Sequence, residues 1–373
     1  EPRILVPKKI LYQNSAFLSM TVSNKNYDVI IIGGGQSALA CAYFLRRTGL
    51  SYILLDEQDE PGGAWQHGWE SLTLFSPAAF SSLPGWLMPE SSGKFPSRAE
   101  AIAYLKAYEE KYKIPAERPV KVEKVAKTDN GYTLSTSSGD YFCKALISAT
   151  GTWGSPFIPN LEGLDSFKGK QLHSAHYTNA KNFHGKKVLI VGGGNSGAQL
   201  LAEISKVANT VWSTLTPPTF LPDEVDGRVL FDVATAKYQA MKEGKPLDTK
   251  QYDLANIVMV PSVVEARERD VLQSKGRFIA FTETGVIWES NEREDFDIIV
   301  WCTGFKYATK HLNELGITDV DGRVVTEGTC AKAVAGLWLV GYGNWTGFAS
   351  ATLIGVGRSA RATVNELNEY LNH

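Results

Sequence analysis

Two glycine-rich turns constrain this chain more than any other feature. The first follows the apolar run Tyr27–Ile32 and reads Gly33–Gly34–Gly35–Gln36–Ser37–Ala38. The second follows Lys187–Val191 and reads Gly192–Gly193–Gly194–Asn195–Ser196–Gly197. Each predicts a strand, a tight turn and a helix start of the form G-x-G-x-x-G/A. The first glycine makes the turn, the second lets backbone approach a pyrophosphate, and the third small residue lets helix pack on strand. The helix N-terminus adds N–H donors and a positive partial charge. One such turn is a weak signal. Two, each after a buried-type strand, predict an α/β chain that holds two dinucleotides at once.

The residues beyond each turn tell the two sites apart. After the first, Ala38–Thr48 reads as a helix closed by Gly49, and the strand Tyr52–Leu55 ends at Asp56–Glu57. An acid at this place, about 20 residues beyond the glycines, accepts the hydroxyls of an adenosine ribose and repels a 2′-phosphate. That suits FAD or NAD and argues against NADPH. After the second, a helix over Ser196–Ala208 leads to the strand Thr210–Ser213 and then Thr214, with neither an acid for a ribose diol nor an Arg for a 2′-phosphate. The hydroxyls of Ser213 and Thr214 are candidate partners for either cofactor, so the sequence predicts tolerance of both NADPH and NADH.

The remaining pattern sets the order of parts. Ser97–Glu100 has the form of a capping box opening a helix to about Tyr112. Val120–Ala149 alternates as a meander with turns at Asn130–Gly131 and Ser138–Gly139, ending in Thr150–Gly151. The strand Phe296–Val300 ends similarly, in Cys302–Thr303–Gly304. Leu337–Gly341 reads as a strand leading to a helix over Ser350–Leu367, whose start would aim its dipole at a ligand. The expected architecture is two Rossmann-like dinucleotide-binding domains of three-layer ββα/βαβ type, the second inserted in the first. Residues 1–20 read as an N-terminal extension, with Met20 as the natural start. The FAD-binding domain is expected over 21–180 plus 300–373, and the NAD(P)H-binding domain over 181–299. Pro217–Lys275 exceeds what a bare nucleotide unit needs and reads either as a substrate lid or as an ordinary insertion.

Composition narrows the partners. A formal net charge of −2 over 373 residues gives no broad basic field for nucleic acid. No run of about 18 apolar residues predicts a membrane span. Cys41, Cys143, Cys302 and Cys330 form no C-x-x-C pair, which disfavours a zinc site or redox disulfide and fits a reduced, cytoplasmic protein.

At this point the chain resembles the two-dinucleotide-binding flavoproteins and, more narrowly, the flavin-containing monooxygenases. The narrowing comes from Phe167-x-Gly169-x-x-x-His173-x-x-x-Tyr177, placed just before the second turn, which resembles the fingerprint of class B flavin monooxygenases. The resemblance implies Gly33, Gly35 and Ala38, flanked by Gln36 and Ser37, under an FAD pyrophosphate, with Asp56 or Glu57 on its ribose. It implies Gly63, Ala64, Trp65, Ser76, Thr150 and Gly151 along the flavin, with the Cys302–Thr303–Gly304 linker and Asn344 in the loop beside it. Gly192, Gly194, Asn195, Ser196, Gly197, Ser213 and Thr214 would hold the adenylate half of NADPH or NADH. Tyr177 would approach the nicotinamide.

One departure matters. Where larger relatives place an Asn near the reactive flavin carbon, this chain has Phe75 and Ser76, so Phe75 joins Tyr177 as a candidate at the reacting centre. The resemblance implies an enzyme in which reduced flavin and O2 form a C4a-(hydro)peroxide. That species would oxygenate sulfides, amines and ketones, small molecules that need no protein nucleophile. A homodimer is left open. Two rivals share the glycine turns: an FAD-dependent NAD(P)H reductase passing electrons onward, and a non-catalytic NAD(P)H-binding sensor.

Overall fold

The structure, a computed structural model, describes residues 25–245 and 256–372. The expected extension over 1–20 lies outside the described residues. In chain order the elements are β1 (Lys25–Ile32), α1 (Gln36–Leu45), β2 (Tyr52–Leu55), α2 (Arg98–Tyr112) and β3 (Ala116–Glu117). Next come β4 (Val122–Thr128), β5 (Gly131–Thr136), β6 (Gly139–Ser148) and β7 (Lys170–His173). The second unit holds β8 (Lys187–Val191), α3 (Asn195–Ile204), β9 (Asn209–Ser213), α4 (Gly227–Lys242), α5 (Pro261–Glu268) and the hairpin strands β10 (Phe278–Phe281), β11 (Gly285–Trp288) and β12 (Arg293–Asp295). The chain returns through β13 (Ile298–Trp301), β14 (Thr326–Glu327), β15 (Cys330–Ala331), β16 (Leu337–Leu339) and α6 (Val356–Asn372). No described helix is long and apolar enough to cross a membrane.

Both units are built alike. In the first, β1 pairs in parallel with β2 and β6, and β6 pairs in parallel with β16, which is the doubly wound core. Uninterrupted apolar residues are needed there because both faces are covered. One face packs α1, α2 and α6 around Leu39, Leu45, Tyr108 and Leu367. The other packs the meander around Val125, Tyr132 and Leu134. In the second unit a parallel sheet of order β7-β13-β8-β9 carries α3 and α5 on one face and the β10–β12 hairpin layer on the other. Helices, parallel sheet and antiparallel layer are the three expected layers, met twice.

Strand pairing moves the expected division at 180 and 300 outward on both sides. β7 and the whole of β13 belong to the second sheet, since Ile298–Trp301 pairs with Lys170–His173. The two chain crossings between units run side by side. Pro156 bridges Phe305, Phe157 N–H donates to Gly304 O at 3.0 Å, Lys306 N–H to Ser155 O at 2.8 Å, and Ala308 N–H to Gly151 O at 2.9 Å.

Local signals set most element ends. Ser97 caps α2 with the reciprocal box, its hydroxyl accepting from Glu100 N while Glu100 reaches back to Ser97 N. The last helix is a correction: it starts at Val356 and not near Ser350. Ala349 takes φ 55°, a left-handed conformation that ends regular helix, and Gly355 lies so close to Ala349 O that a Cβ would sit 2.2 Å from it. The segment before α6 is therefore a knot of turns. No helix dipole starts at Ser350.

Candidate functional site

The first glycine corner is packed from below. Gly33 takes φ 110°, and a Cβ there would lie 2.7 Å from Ala149 O, so only glycine turns here. A Cβ on Gly34 would strike the Asp56 carboxylate at 1.9 Å. Gly63 closes the corner from the side, since its Cβ would come within 2.5 Å of the Gly35 Cα. Two backbones thus meet with no side chain between them, while a Cβ on Gly35 would come no nearer than 3.7 Å, to Gly63 Cα. Ser37 is buried beneath Gly341, and Ala38 is in the core.

Asp56 is buried beneath Gly34, and Glu57 points to solvent. Arg118 Nε donates to Asp56 Oδ2 at 2.8 Å, and its two terminal nitrogens donate to Glu109 at 2.7 Å each. Burial works against the Arg118 charge, but the hydrogen bonds to Glu109 and Asp56 outweigh it and hold the guanidinium above its ordinary range. Sequence reasoning misses this triad, whose only trace there is a lone Arg before a Pro.

A single side chain gathers the segments expected along the flavin. Gln36 Nε2 donates to Ala351 O at 2.6 Å, and Trp65 Nε1 donates to Gln36 Oε1 at 3.3 Å. Ala64 is exposed beside Trp65. Ser76 Oγ and Ser81 Oγ bond each other at 2.8 Å. Around Gln36, Trp65, Phe75 and Ser76 lies a cavity of about 110 Å³, closed by Phe80, by Ala349 and Ala351–Ile354, and by Gly227 and Phe231 of the second unit. None of the described residues lining it is ionisable. Thr150 lies beyond this wall, its hydroxyl donating to Ala308 O at 2.7 Å and meeting Tyr342 Oη at 2.7 Å, while Gly151 has open space above it. Tyr342 Oη also bonds Ser148 Oγ, which bonds His311 Nε2 at 3.0 Å. Burial pushes His311 down to about 4.

The second corner repeats the turn but not its packing. Gly192 takes φ 126°, with Cys302 O only 2.2 Å from where a Cβ would be. Gly197 lets α3 onto β8, since its Cβ would meet Gly192 O at 2.1 Å. A Cβ on Gly194 would meet nothing within 4 Å, so that corner is open. Asn195, expected at the cofactor, is drawn into the protein: its Oδ1 accepts from Val258 N at 2.8 Å and its Nδ2 donates to Asn256 O at 3.3 Å. Ser196 stays half-buried in the first turn of α3.

Several expected contacts are spent internally. Ser213 Oγ donates to Gly276 O at 2.9 Å, and Thr214 Oγ1 donates to Thr216 O at 2.8 Å and meets Ser274 Oγ at 2.7 Å. Both residues are buried, and the first residue to stand free beyond the strand is Leu215, 85% exposed. Tyr177 is core, packed against Trp69 and Phe183, and burial near the Glu203 carboxylate raises its phenol. It does not face the cleft. Asn344 sits in an exposed turn outside the cavity wall. Cys302 is buried with its thiol pushed up to about 12, and Thr303 Oγ1 donates to Phe157 O. His173 Nδ1 accepts from Ala175 N at 3.1 Å, so Nε2 carries the proton and donates to Gly304 O at 3.0 Å. Burial lowers its pKa, which keeps this linker histidine neutral.

The corners fit two dinucleotides on geometry alone: backbone cradles that a Cβ would fill, and one buried acid below the first. Comparison with known proteins agrees. The family described as pyridine nucleotide-disulphide oxidoreductase matches residues 30–341. A solved flavin-containing monooxygenase from Stenotrophomonas maltophilia is 48% identical, with a TM-score of 0.85, covering 93% of this chain and 99% of that one. An uncharacterized oxidoreductase, CzcO, from Bacillus subtilis is 32% identical over 348 residues, 92% of this chain and 99% of that protein. A bacillithiol disulfide reductase from Staphylococcus aureus, at 19% identity and a TM-score of 0.70, shares the fold.

Proposed function

The chain belongs to the pyridine nucleotide-disulphide oxidoreductases and, within them, to the flavin-containing monooxygenases, and from that premise we propose that it oxygenates compact, uncharged, apolar molecules. It is an oxidoreductase that uses FAD, NAD(P)H and O2. In the balanced reaction a thioether, O2, NAD(P)H and one proton give the sulfoxide, water and NAD(P)+. Free-base amines giving N-oxides and ketones giving esters complete the proposed range.

FAD, when bound, accepts hydride from NAD(P)H and activates O2 for transfer of one oxygen atom. The chain's own residues bind, orient and exclude water. In this reading Gly33 and Gly35 let backbone approach the FAD pyrophosphate, Ala38 packs the helix against the sheet beneath them, and Asp56 or Glu57 stands at the ribose. Gly192, Gly194 and Gly197 form the NAD(P)H corner. Gln36 fixes Trp65 against Ala351, so one side of the cavity is rigid. Ser76 and Ser81 satisfy each other and offer little to water.

The observation that supports the substrate class is the part of the lining away from the flavin-side residues Gln36, Trp65 and Ser76: it is chiefly Leu74, Phe75, Phe80, Phe231, Leu353 and Ile354, with only the neutral hydroxyls of Ser81 and Thr352 and no ionisable group among the described residues. An ammonium or carboxylate entering it would shed its water without meeting a counter-charge, at a cost of several kcal/mol. A dithiol reductase would need a redox-active cysteine pair, whereas Cys41, Cys143 and Cys302 are buried singly and Cys330 is half-buried, all four free and with raised thiol pKa values.

The test is turnover of methyl phenyl sulfide under isotopically labelled O2. One labelled oxygen per sulfoxide and one NAD(P)H per product is the expected result. NAD(P)H consumed with equivalent hydrogen peroxide and no sulfoxide would overturn the reading. Adding a para-carboxylate to that substrate is expected to lower kcat/KM by about 100-fold.

A further inference from the structure

The cavity is not the property of one unit. Gly227 and Phe231 come from α4, and α4 and the segment leading into it are anchored in the core of the second unit through Leu230 and Val225, buried with Leu221, Ile257 and Met259. Asp226 starts the helix by accepting from Arg228 N at 2.9 Å and Val229 N at 3.2 Å, an N-cap that fixes where the first turn points.

That turn is seated on the loop of the first unit that forms the opposite wall. Gly227 N–H donates to Phe75 O at 2.7 Å. The approach is as close as glycine permits: a Cβ on Gly227 would lie 2.8 Å from the Phe75 ring and 2.8 Å from Ser76 Cβ. One residue on, the Arg228 guanidinium lies 5.7 Å from the Phe80 ring centroid. One helical turn on from Gly227, Phe231 fills the cavity wall. Three contacts from the first turn of one helix thus reach a single short stretch, Phe75–Ser81. Gly227 has no positive φ to explain it. The contact does.

We propose that the first turn of α4 is a clasp between the two units, that Gly227 is its point of closest approach, and that Phe231 is the specificity-determining wall of the oxygenation cavity. What the cavity holds rests on the monooxygenase reading above; the clasp itself rests on the contacts. With α4 seated, its first turn walls one side of the cavity, and the Phe231 ring sets the width there. With α4 withdrawn, the Phe75 carbonyl and the cavity face solvent together, so the position of the second unit and the closure of the substrate site are one event.

The test uses the FAD-loaded chain and two readouts. Kinetic selectivity is measured as the ratio of kcat/KM for methyl 2-naphthyl sulfide over dimethyl sulfide. Phe231→Ala is expected to raise this ratio at least about tenfold and Phe231→Trp to lower it, the range one pocket contact commands. Phe231→Leu, with a smaller rise, replaces Phe231→Ala if that variant does not fold. Amide exchange by mass spectrometry is the second readout. Gly227→Ala is expected to speed exchange of the 75–81 loop and of the first α4 turn at least about tenfold, because the added methyl prises off the bond to Phe75. Wild-type turnover with an unchanged ratio in the Phe231 variants, or unchanged exchange in Gly227→Ala, overturns the proposal. Failure of the wild type to oxygenate either sulfide would sink the monooxygenase reading instead, and the exchange result would still decide the clasp.

Discussion

The two glycine corners share a turn and differ in everything behind it. Beneath the first lie a buried carboxylate, the guanidinium that holds it and a second carboxylate, and Gly63 presses in from the side. Beneath the second the polar groups are tied to one another, and Gly194 looks onto open space. On the proposed assignment, the same local sequence serves two kinds of occupancy. The first corner is a seat whose parts would be strained or unpaired without close packing, as suits a resident group. The second is a ledge that a ligand can enter and leave without disturbing the core, as suits a reagent consumed each cycle.

Breaking the difference at its strongest point should give the largest effect. Arg118→Met leaves Asp56 and Glu109 buried without a counter-charge, and is expected to cost about 3–5 kcal/mol in urea unfolding. Most of the bound flavin should be lost on purification. Retained flavin and a stability change below about 1 kcal/mol would mean the triad has no part in the seat. Gly34→Ala, which drives a methyl into the Asp56 carboxylate, should cost about 1–3 kcal/mol and lower the ratio of flavin to protein absorbance. The matching change in the other corner, Gly194→Ala, should leave stability and flavin content as they are and act only on KM for NAD(P)H. Equal losses in both would erase the contrast between seat and ledge.

Acid provides a finer probe of the first unit. His311 is neutral when folded, with its pKa lowered to about 4 by burial beside Ser148. The unfolded chain binds its proton first, so this residue's contribution is whole above about pH 6.5 and is lost as pH falls toward 4, by roughly 3 kcal/mol. Unfolding curves at a series of pH values should show that slope in the wild type and a shallower one in His311→Gln. The smallest expected effect is at the ledge. Leu215→Arg, at an exposed position beyond β9, should raise the preference for NADPH over NADH about fivefold by pairing with a phosphate, with stability changed by less than about 0.5 kcal/mol. An unchanged ratio would place the 2′-position elsewhere.

How much of this is legible in the chain follows from the range of each interaction. The glycine corners, the Ser97–Glu100 box and the meander turns are written within a few residues, and the structure forms them where they are written. The partner of Asp56 is Arg118, brought close only by the sheet, and no local pattern announces it. The hydroxyls of Ser213 and Thr214 look available until Ser274 and Gly276 arrive beside them. Tyr177 reads as facing the nicotinamide because spacing fixes its place along a linker but not its direction, and Trp69 and Phe183 claim it for the core. The late start of α6 turns on one non-glycine residue with φ 55°, which composition does not reveal.

The adjacent crossings between the units carry a mechanical consequence. Phe157, Lys306 and Ala308 each donate a backbone hydrogen bond from one crossing to the other, so the pair acts as a single ribbon with one stiff direction and one soft one. Such a strap bends across its flat face and resists sliding along its length. Sliding one crossing past the other would break these three bonds, so a motion of the second unit that keeps them bends both crossings together.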